Sequence, residues 1–127
     1  MKFSGNQKGF TMIELIVVII ILGILVAVAV PKYFSMNTKA QEAACLANQK
    51  AIESAIMMEY SKRLVNGDGS SLSDVVSDYN SDPSAFFVNG QVPKCPEDNS
   101  DYQVSVSGGG ESVTITCPNG HSFGGDE

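Results

Sequence analysis

At 127 residues and a formal net charge of −6, the chain has room for one compact domain and an anchor. Fourteen acidic residues against eight basic ones argue against a broad nucleic-acid footprint, and a single histidine leaves little for a catalytic constellation. Apolar residues make up 43% of the chain, and they are concentrated at one end.

That end comes first in the chain. Leu15 to Val30 is a run of sixteen apolar residues, extended back toward Lys8 and Gly9 by Phe10, Met12 and Ile13. At 1.5 Å per residue, Phe10 to Val30 makes about 31 Å of helix, enough to cross a bilayer core. A secretory signal peptide is the competing reading, kept open by Ala27 and Ala29 as a small-x-small pair. Against it stand the length of the run and the Pro31-Lys32-Tyr33-Phe34 that follows it. Glu14 lies near the start of the apolar segment, where an ionised side chain is costly and usually faces a partner. A carboxylate at headgroup depth is the plainer alternative.

Lys8-Gly9 followed by Phe10-Thr11-Met12-Ile13-Glu14-Leu15 resembles the processing site and helix start of type IV pilins and pseudopilins. The likeness is close over about the first 35 residues and architectural beyond. It implies a nine-residue leader carrying Lys2 and Lys8, cut after Gly9 by a prepilin peptidase, and N-methylation of the new Phe10 terminus. It also implies an assembly role for Glu14, and it places Gly23 and Pro31 at spacings typical of the family, as points where the helix bends or loosens. Removing the leader leaves six basic against fourteen acidic side chains, a balance of −8. Cleavage would create an amine on Phe10 that pairs with Glu14 of a neighbouring copy in low dielectric, where an unpaired charge is penalised. An assembly ATPase and a platform membrane protein follow as expected partners. Lys2 and Lys8 are expected on the cytoplasmic side of the inner membrane, with everything beyond Pro31 outside, first as a single-pass precursor and then in a cell-surface pilus.

From Asn37 to about Leu64 there is neither glycine nor proline, and Cys45, Ile52, Ile56 and Tyr60 recur on one helical side. Ala44, Ala47, Ala51 and Ala55 lie beside them, with charged residues elsewhere, so a long amphipathic helix is expected. Lys62 and Arg63 read as a solvated helix end, with a local nucleic-acid contact as the lesser option. Asn66-Gly67-Asp68-Gly69 ends the helix. Ser73 to Tyr79 reads as a short helix capped by Ser73, and Asp82 to Pro93 as a loop. Tyr102 to Ser107 and Ser112 to Cys117 alternate around Gly108-Gly109-Gly110-Glu111. They form a hairpin in which Val106 faces Val113 and Val104 faces Ile115. Its apolar side is expected on the helix face of Ile52 and Ile56.

The organisation is thus residues 1–9 as leader, 10–31 as transmembrane and filament-core helix, 32–65 as amphipathic helix and 66–127 as globular head. The fold class is α+β, a long helix with a small antiparallel sheet on its outer half. A head of about 60 residues buries a limited core, so its cysteines matter. Cys95 with Cys117 is the favoured disulfide, closing about 23 residues for about 3 kcal/mol in the chain-entropy model. Pairing Cys45 with one of them is the alternative, and one thiol is left over either way. No cofactor is the main expectation, with zinc on Cys45, Cys95, Cys117 and His121 as the alternative.

No nucleophile motif or phosphate loop is evident, and the expected role is structural: a homo-oligomeric filament subunit serving adhesion, motility or DNA uptake, not an enzyme. General-secretion pseudopilins often carry a Tyr-Pro-Thr-rich stretch past the helix and a calcium loop in the head. Neither is evident here, so a pilin of the type IV or competence kind is favoured over a type II secretion pseudopilin. A membrane-anchored binding module that never polymerises is the reading from another class.

Overall fold

A computed structural model describes residues 8–121; Lys2 with most of the leader, and the residues after His121, lie outside that range. In chain order the elements are α1 (Met12–Val65), α2 (Leu72–Ser81), two short 3-10 turns (Pro83–Phe86 and Val88–Gly90), β1 (Gln103–Ser107) and β2 (Ser112–Thr116). By contacts the chain separates into two compact units, with the division after Thr38.

In the first unit the backbone is helical from Met12 onward, without interruption at Gly23 or Pro31. Pro31 removes one donor from the helical ladder. A methyl group added at Gly23 would meet nothing within 4 Å, so no contact among the described residues requires glycine there. Every apolar side chain from Phe10 to Val30 is exposed, and this is the one stretch among the described residues long and apolar enough to cross a membrane.

The second unit has a core of its own. On the outer part of α1 the buried positions are Cys45, Gln49, Ile52 and Ile56, spaced four, three and four residues apart, which is one helical face. Asp68 N–H bonds to the Arg63 carbonyl and Gly67 N–H to that of Leu64, each at 3.1 Å. That pair of bonds is a Schellman closure, and Gly67 takes the left-handed φ of +70° it needs. Arg63 reaches Asp78 on α2 at 2.8 Å and Glu59 at 3.3 Å, while Lys62 pairs with Glu59 at 3.0 Å. The two basic residues are thus engaged with acids of α1 and α2.

The short helix begins one residue earlier than expected, and Ser71 rather than Ser73 caps it. Ser71 Oγ accepts from Asp74 N–H at 3.3 Å, and Asp74 Oδ2 accepts from Ser71 N–H at 2.8 Å. This reciprocal box fixes the first turn so that Leu72, Val75, Val76 and Tyr79 all face inward. The segment expected as a loop coils into the two 3-10 turns, which bring Phe86 edge-on to Tyr79 at 5.2 Å and Phe87 at 6.5 Å.

The hairpin has the expected register, with Val104 opposite Ile115 and Val106 opposite Val113. Gly108, Gly109 and Gly110 all adopt positive φ, which L side chains rarely tolerate, and this lets four residues close the turn. Tyr102 and Cys117 lie just outside the paired residues but are buried. A two-stranded ribbon is marginal alone. Here β1 packs on α2, where Asn80 Nδ2 donates to the Val104 carbonyl at 3.2 Å. The inward strand residues join Ile52 and Ile56 in one cluster, as expected, with α2 as an additional partner.

Candidate functional site: the helix start and a buried thiol cluster

The two places of chemical interest lie in different units. At the helix start, Gly9 and Phe10 precede the first helical residue. Phe10 is 90% exposed, and a side chain added at Gly9 would meet nothing within 4 Å. The Gly9–Phe10 bond is therefore in open chain. Glu14 Oε2 accepts from Thr11 N–H at 3.2 Å, and Thr11 Oγ1 accepts from Glu14 N–H at 3.3 Å. This is a capping box, with Thr11 as N-cap, and the Thr-x-x-Glu spacing signals it in the sequence. The expectations for Glu14 were an intermolecular charge or a carboxylate at headgroup depth, not a helix cap.

In the head, Cys45 on α1, Cys95 in the loop before β1, Cys117 after β2 and His121 converge, with all ligand atoms within 4.8 Å of one another. Cys95 Sγ and Cys117 Sγ are 3.5 Å apart. His121 Nδ1 is 3.8 Å from the first and 3.7 Å from the second. All three thiols are free, and 3.5 Å is well beyond the roughly 2.05 Å of a disulfide bond, so the favoured Cys95–Cys117 link is not formed in this structure. The three cysteines are fully or nearly fully buried and His121 partly so.

Several side chains hold the cluster. Asn48 Nδ2 donates to the Lys94 carbonyl at 2.8 Å, tying the loop before Cys95 to α1. Cys95 closes a tight loop in which its N–H bonds to the Ser100 carbonyl at 3.0 Å and its carbonyl accepts from Asn99 at 2.9 Å. Gln49 Nε2 donates to Cys45 Sγ at 3.4 Å and to the His121 carbonyl at 2.6 Å. Tyr102 Oη donates to Cys45 Sγ at 3.3 Å, and Asn119 Nδ2 to Cys95 Sγ at 3.3 Å. On its far side, His121 Nε2 is 3.5 Å from Glu97 Oε2. Gln49 was not singled out in the sequence. The available signal was its position four after Cys45 and three before Ile52, on the face that is otherwise apolar.

Burial opposes ionisation of Cys95. Donors from Asn119, the Glu97 backbone, Cys117 and His121 outweigh it and bring the thiol down to about 6. Burial dominates at Cys117 and lifts it to about 11. His121 is raised above the ordinary imidazole range, chiefly by its hydrogen bond with Cys95, and Tyr102 is raised by burial and by Cys45. The arrangement is a set of soft donors, of which Cys95 is the most readily ionised of the two shifted thiols.

Comparison with known proteins places the chain. Residues 4–30 match the prokaryotic N-terminal methylation motif. The narrow-pilus major component PilA5 of Thermus thermophilus is 34% identical over 112 residues, which cover 88% of this chain and 79% of that protein. The type II secretion system core protein G of Klebsiella pneumoniae is 32% identical over 117 residues, covering 87% and 82%. The major pilin PilE1 of Neisseria gonorrhoeae is 44% identical over 54 residues, covering 42% of this chain and 33% of that one. No solved structure matches. The chain belongs to the type IV pilin and pseudopilin family.

Proposed function

We propose that the chain is a structural subunit of a type IV pilus or pilus-like filament, held in a membrane by its apolar helix until assembly. The observation that carries this reading is the helix itself: an unbroken run whose apolar side chains all stay exposed among the described residues. Such a surface demands lipid or sister helices. The match to the methylation motif supports cleavage after Gly9 by a prepilin peptidase and methylation of Phe10. An assembly ATPase and a platform membrane protein complete the machinery, and Lys2 and Lys8 set the leader on the cytoplasmic side with the head outside. The filament serves adhesion, motility or DNA uptake. Similarity to core protein G along most of the chain favours one second reading, a type II secretion pseudopilus, which would appear as a secretion defect on deletion rather than as surface fibres.

Glu14 has two uses on this reading. In the isolated chain its carboxylate caps the helix through Thr11. In the filament it exchanges that contact for the Phe10 amine of a neighbour, an attraction strengthened by the low dielectric of a helix bundle. Thr11→Ala and Glu14→Ala separate the two, because both break the box and only the second removes the charge. With cleavage verified by mass spectrometry of a methylated Phe10 start, Glu14→Ala should abolish fibres in electron micrographs of sheared surface material. Thr11→Ala should retain them. Fibres of ordinary yield from Glu14→Ala would overturn the electrostatic account, and equal loss in both variants would reduce Glu14 to a helix cap.

A further inference from the structure

We propose that Cys45, Cys95, Cys117 and His121 form a structural zinc site, with the three sulfurs and His121 Nδ1 as its four ligands. The inference stands on the head alone and holds whether or not the chain polymerises.

Geometry is the first argument. Tetrahedral zinc with Zn–S near 2.3 Å and Zn–N near 2.0–2.1 Å separates its ligand atoms by about 3.5–3.8 Å. The observed Cys95–Cys117, Cys95–His121 and Cys117–His121 separations are 3.5, 3.8 and 3.7 Å, with Cys45 inside the same 4.8 Å set. Three of the four ligands thus already stand at zinc-like separations, and Cys45, 76 positions before His121 in the chain, lies close enough to complete the set.

The surroundings are the second argument. Neutral thiols in an apolar core need no donors, whereas metal-bound thiolates carry charge that donors stabilise. Every sulfur here has one: Gln49 Nε2 and Tyr102 Oη at Cys45, Asn119 Nδ2 at Cys95, and backbone N–H groups two residues after Cys95 and Cys117. Those last two bonds arise identically, from Cys95-Pro96-Glu97 and Cys117-Pro118-Asn119. In each, the proline leaves the next N–H as the first donor able to turn back on the sulfur. Two equivalent knuckles from unrelated parts of the chain face one point.

The third argument is the histidine. Nδ1 points into the thiols while Nε2 faces Glu97 Oε2 at 3.5 Å, the carboxylate–histidine pairing that orients a metal-bound imidazole. A Cys95–Cys117 disulfide would use two of these groups and leave Cys45, Gln49 and the inward-facing His121 without a purpose. Zinc uses them all. On binding, the three thiols release their protons to solvent, and the ion joins α1, the loop before β1, the end of β2 and the residues after it. The four ligands fill the zinc shell, so the site is closed and structural rather than catalytic. For a head with so few buried residues, metal binding is folding energy.

The test uses the full chain in detergent, purified without added metal. One zinc ion per chain by elemental analysis, released together with three titratable thiols, is the expected result. Replacement by cobalt should give the intense visible bands of a tetrahedral centre and a sulfur-to-metal charge-transfer band. A chain without zinc that is lighter by the hydrogens of one disulfide would overturn the proposal, as would octahedral cobalt bands. Cysteine substitutions risk unfolding the head, so the decisive variants keep all three. His121→Cys should retain zinc and shift the cobalt spectrum toward an all-sulfur site, while Glu97→Gln should weaken zinc by about 10- to 100-fold. Unchanged cobalt spectra in His121→Cys would remove the histidine from the set and refute the site as drawn.

Discussion

The stretch from Met12 to Thr38 and the stretch from Lys39 to Val65 belong to one α-helix, yet their side chains live by different rules. In the first, Ile20, Leu22 and Leu25 are each more than half exposed, and burial among the described residues does not account for their being apolar. In the second, one face carries Cys45, Gln49, Ile52 and Ile56 at two percent exposure or less, and the opposite face, with Ala43, Ala47, Ala51, Ser54 and Met58, is exposed. The difference teaches where each half finds its stability. The outer half draws on burial within its own chain, at about 25 cal/mol per Å² of apolar surface. The inner half has no buried side chain among the described residues; besides its backbone hydrogen bonds and the Thr11–Glu14 cap, its stability depends on what surrounds it.

The sharpest way to break this comparison is to truncate one isoleucine in each half. Ile56→Ala opens a hole in a fully buried position and should cost about 2–5 kcal/mol of head stability. That effect would appear as an early thermal transition of the detergent-solubilised chain. Ile20→Ala removes the same atoms from an exposed position and should leave that transition unmoved, showing its effect only in fibre yield. Equal shifts in the two variants would mean that burial within the head does not set its stability.

The same contrast decides what could be read before folding. Strong periodicity and long apolar runs are local properties, so α1, the Gly67 stop, the hairpin register and the inward set from Tyr102 to Cys117 were all legible. Capping is almost as local, but Ser71 and Ser73 are both plausible caps, and only the match of Ser71 with Asp74 selects the first. The Thr11–Glu14 box was equally visible in the Thr-x-x-Glu spacing, but an acid at the start of an apolar run reads first as a charge in need of a partner. The thiol cluster is another matter. Its members stand 50, 22 and 4 residues apart, a pattern that names no partner until α1, the loop and β2 are placed. Gln49 escaped for a related reason: a polar residue on an apolar face looks like an imperfection until the sulfur and carbonyl that it bonds are known.

A smaller effect sharpens the comparison from within the head. Ser71→Ala should cost about 1 kcal/mol by stripping the cap from α2. Its pH dependence follows from Asp74, whose carboxyl is held below the ordinary range first by the Ser71 hydroxyl and then by its backbone N–H. A depressed carboxyl contributes stability above its unfolded value, about 3.9, and loses that contribution as pH falls through its lower folded value. The gap between wild type and Ser71→Ala should therefore be full at neutral pH and narrow in strong acid. A gap that widened on acidification would show the cap to act through the neutral carboxyl.

The smallest expected effect comes from the Arg63–Asp78 bridge between the end of α1 and α2. At 2.8 Å its geometry is good, but Asp78 is more than half exposed, and exposed pairs contribute at most about 1 kcal/mol. Asp78→Asn should lower the head's transition slightly in dilute buffer and leave it unchanged at high salt, where wild type has already lost the attraction. Glu59 stays beside Arg63 at 3.3 Å, which further limits the loss. A drop that persisted in high salt would mean that the contact positions α2 on the core by shape rather than by charge. In that case the head would owe its order to a few polar links as much as to Ile52 and Ile56, and its contrast with the inner helix would rest on more than apolar burial.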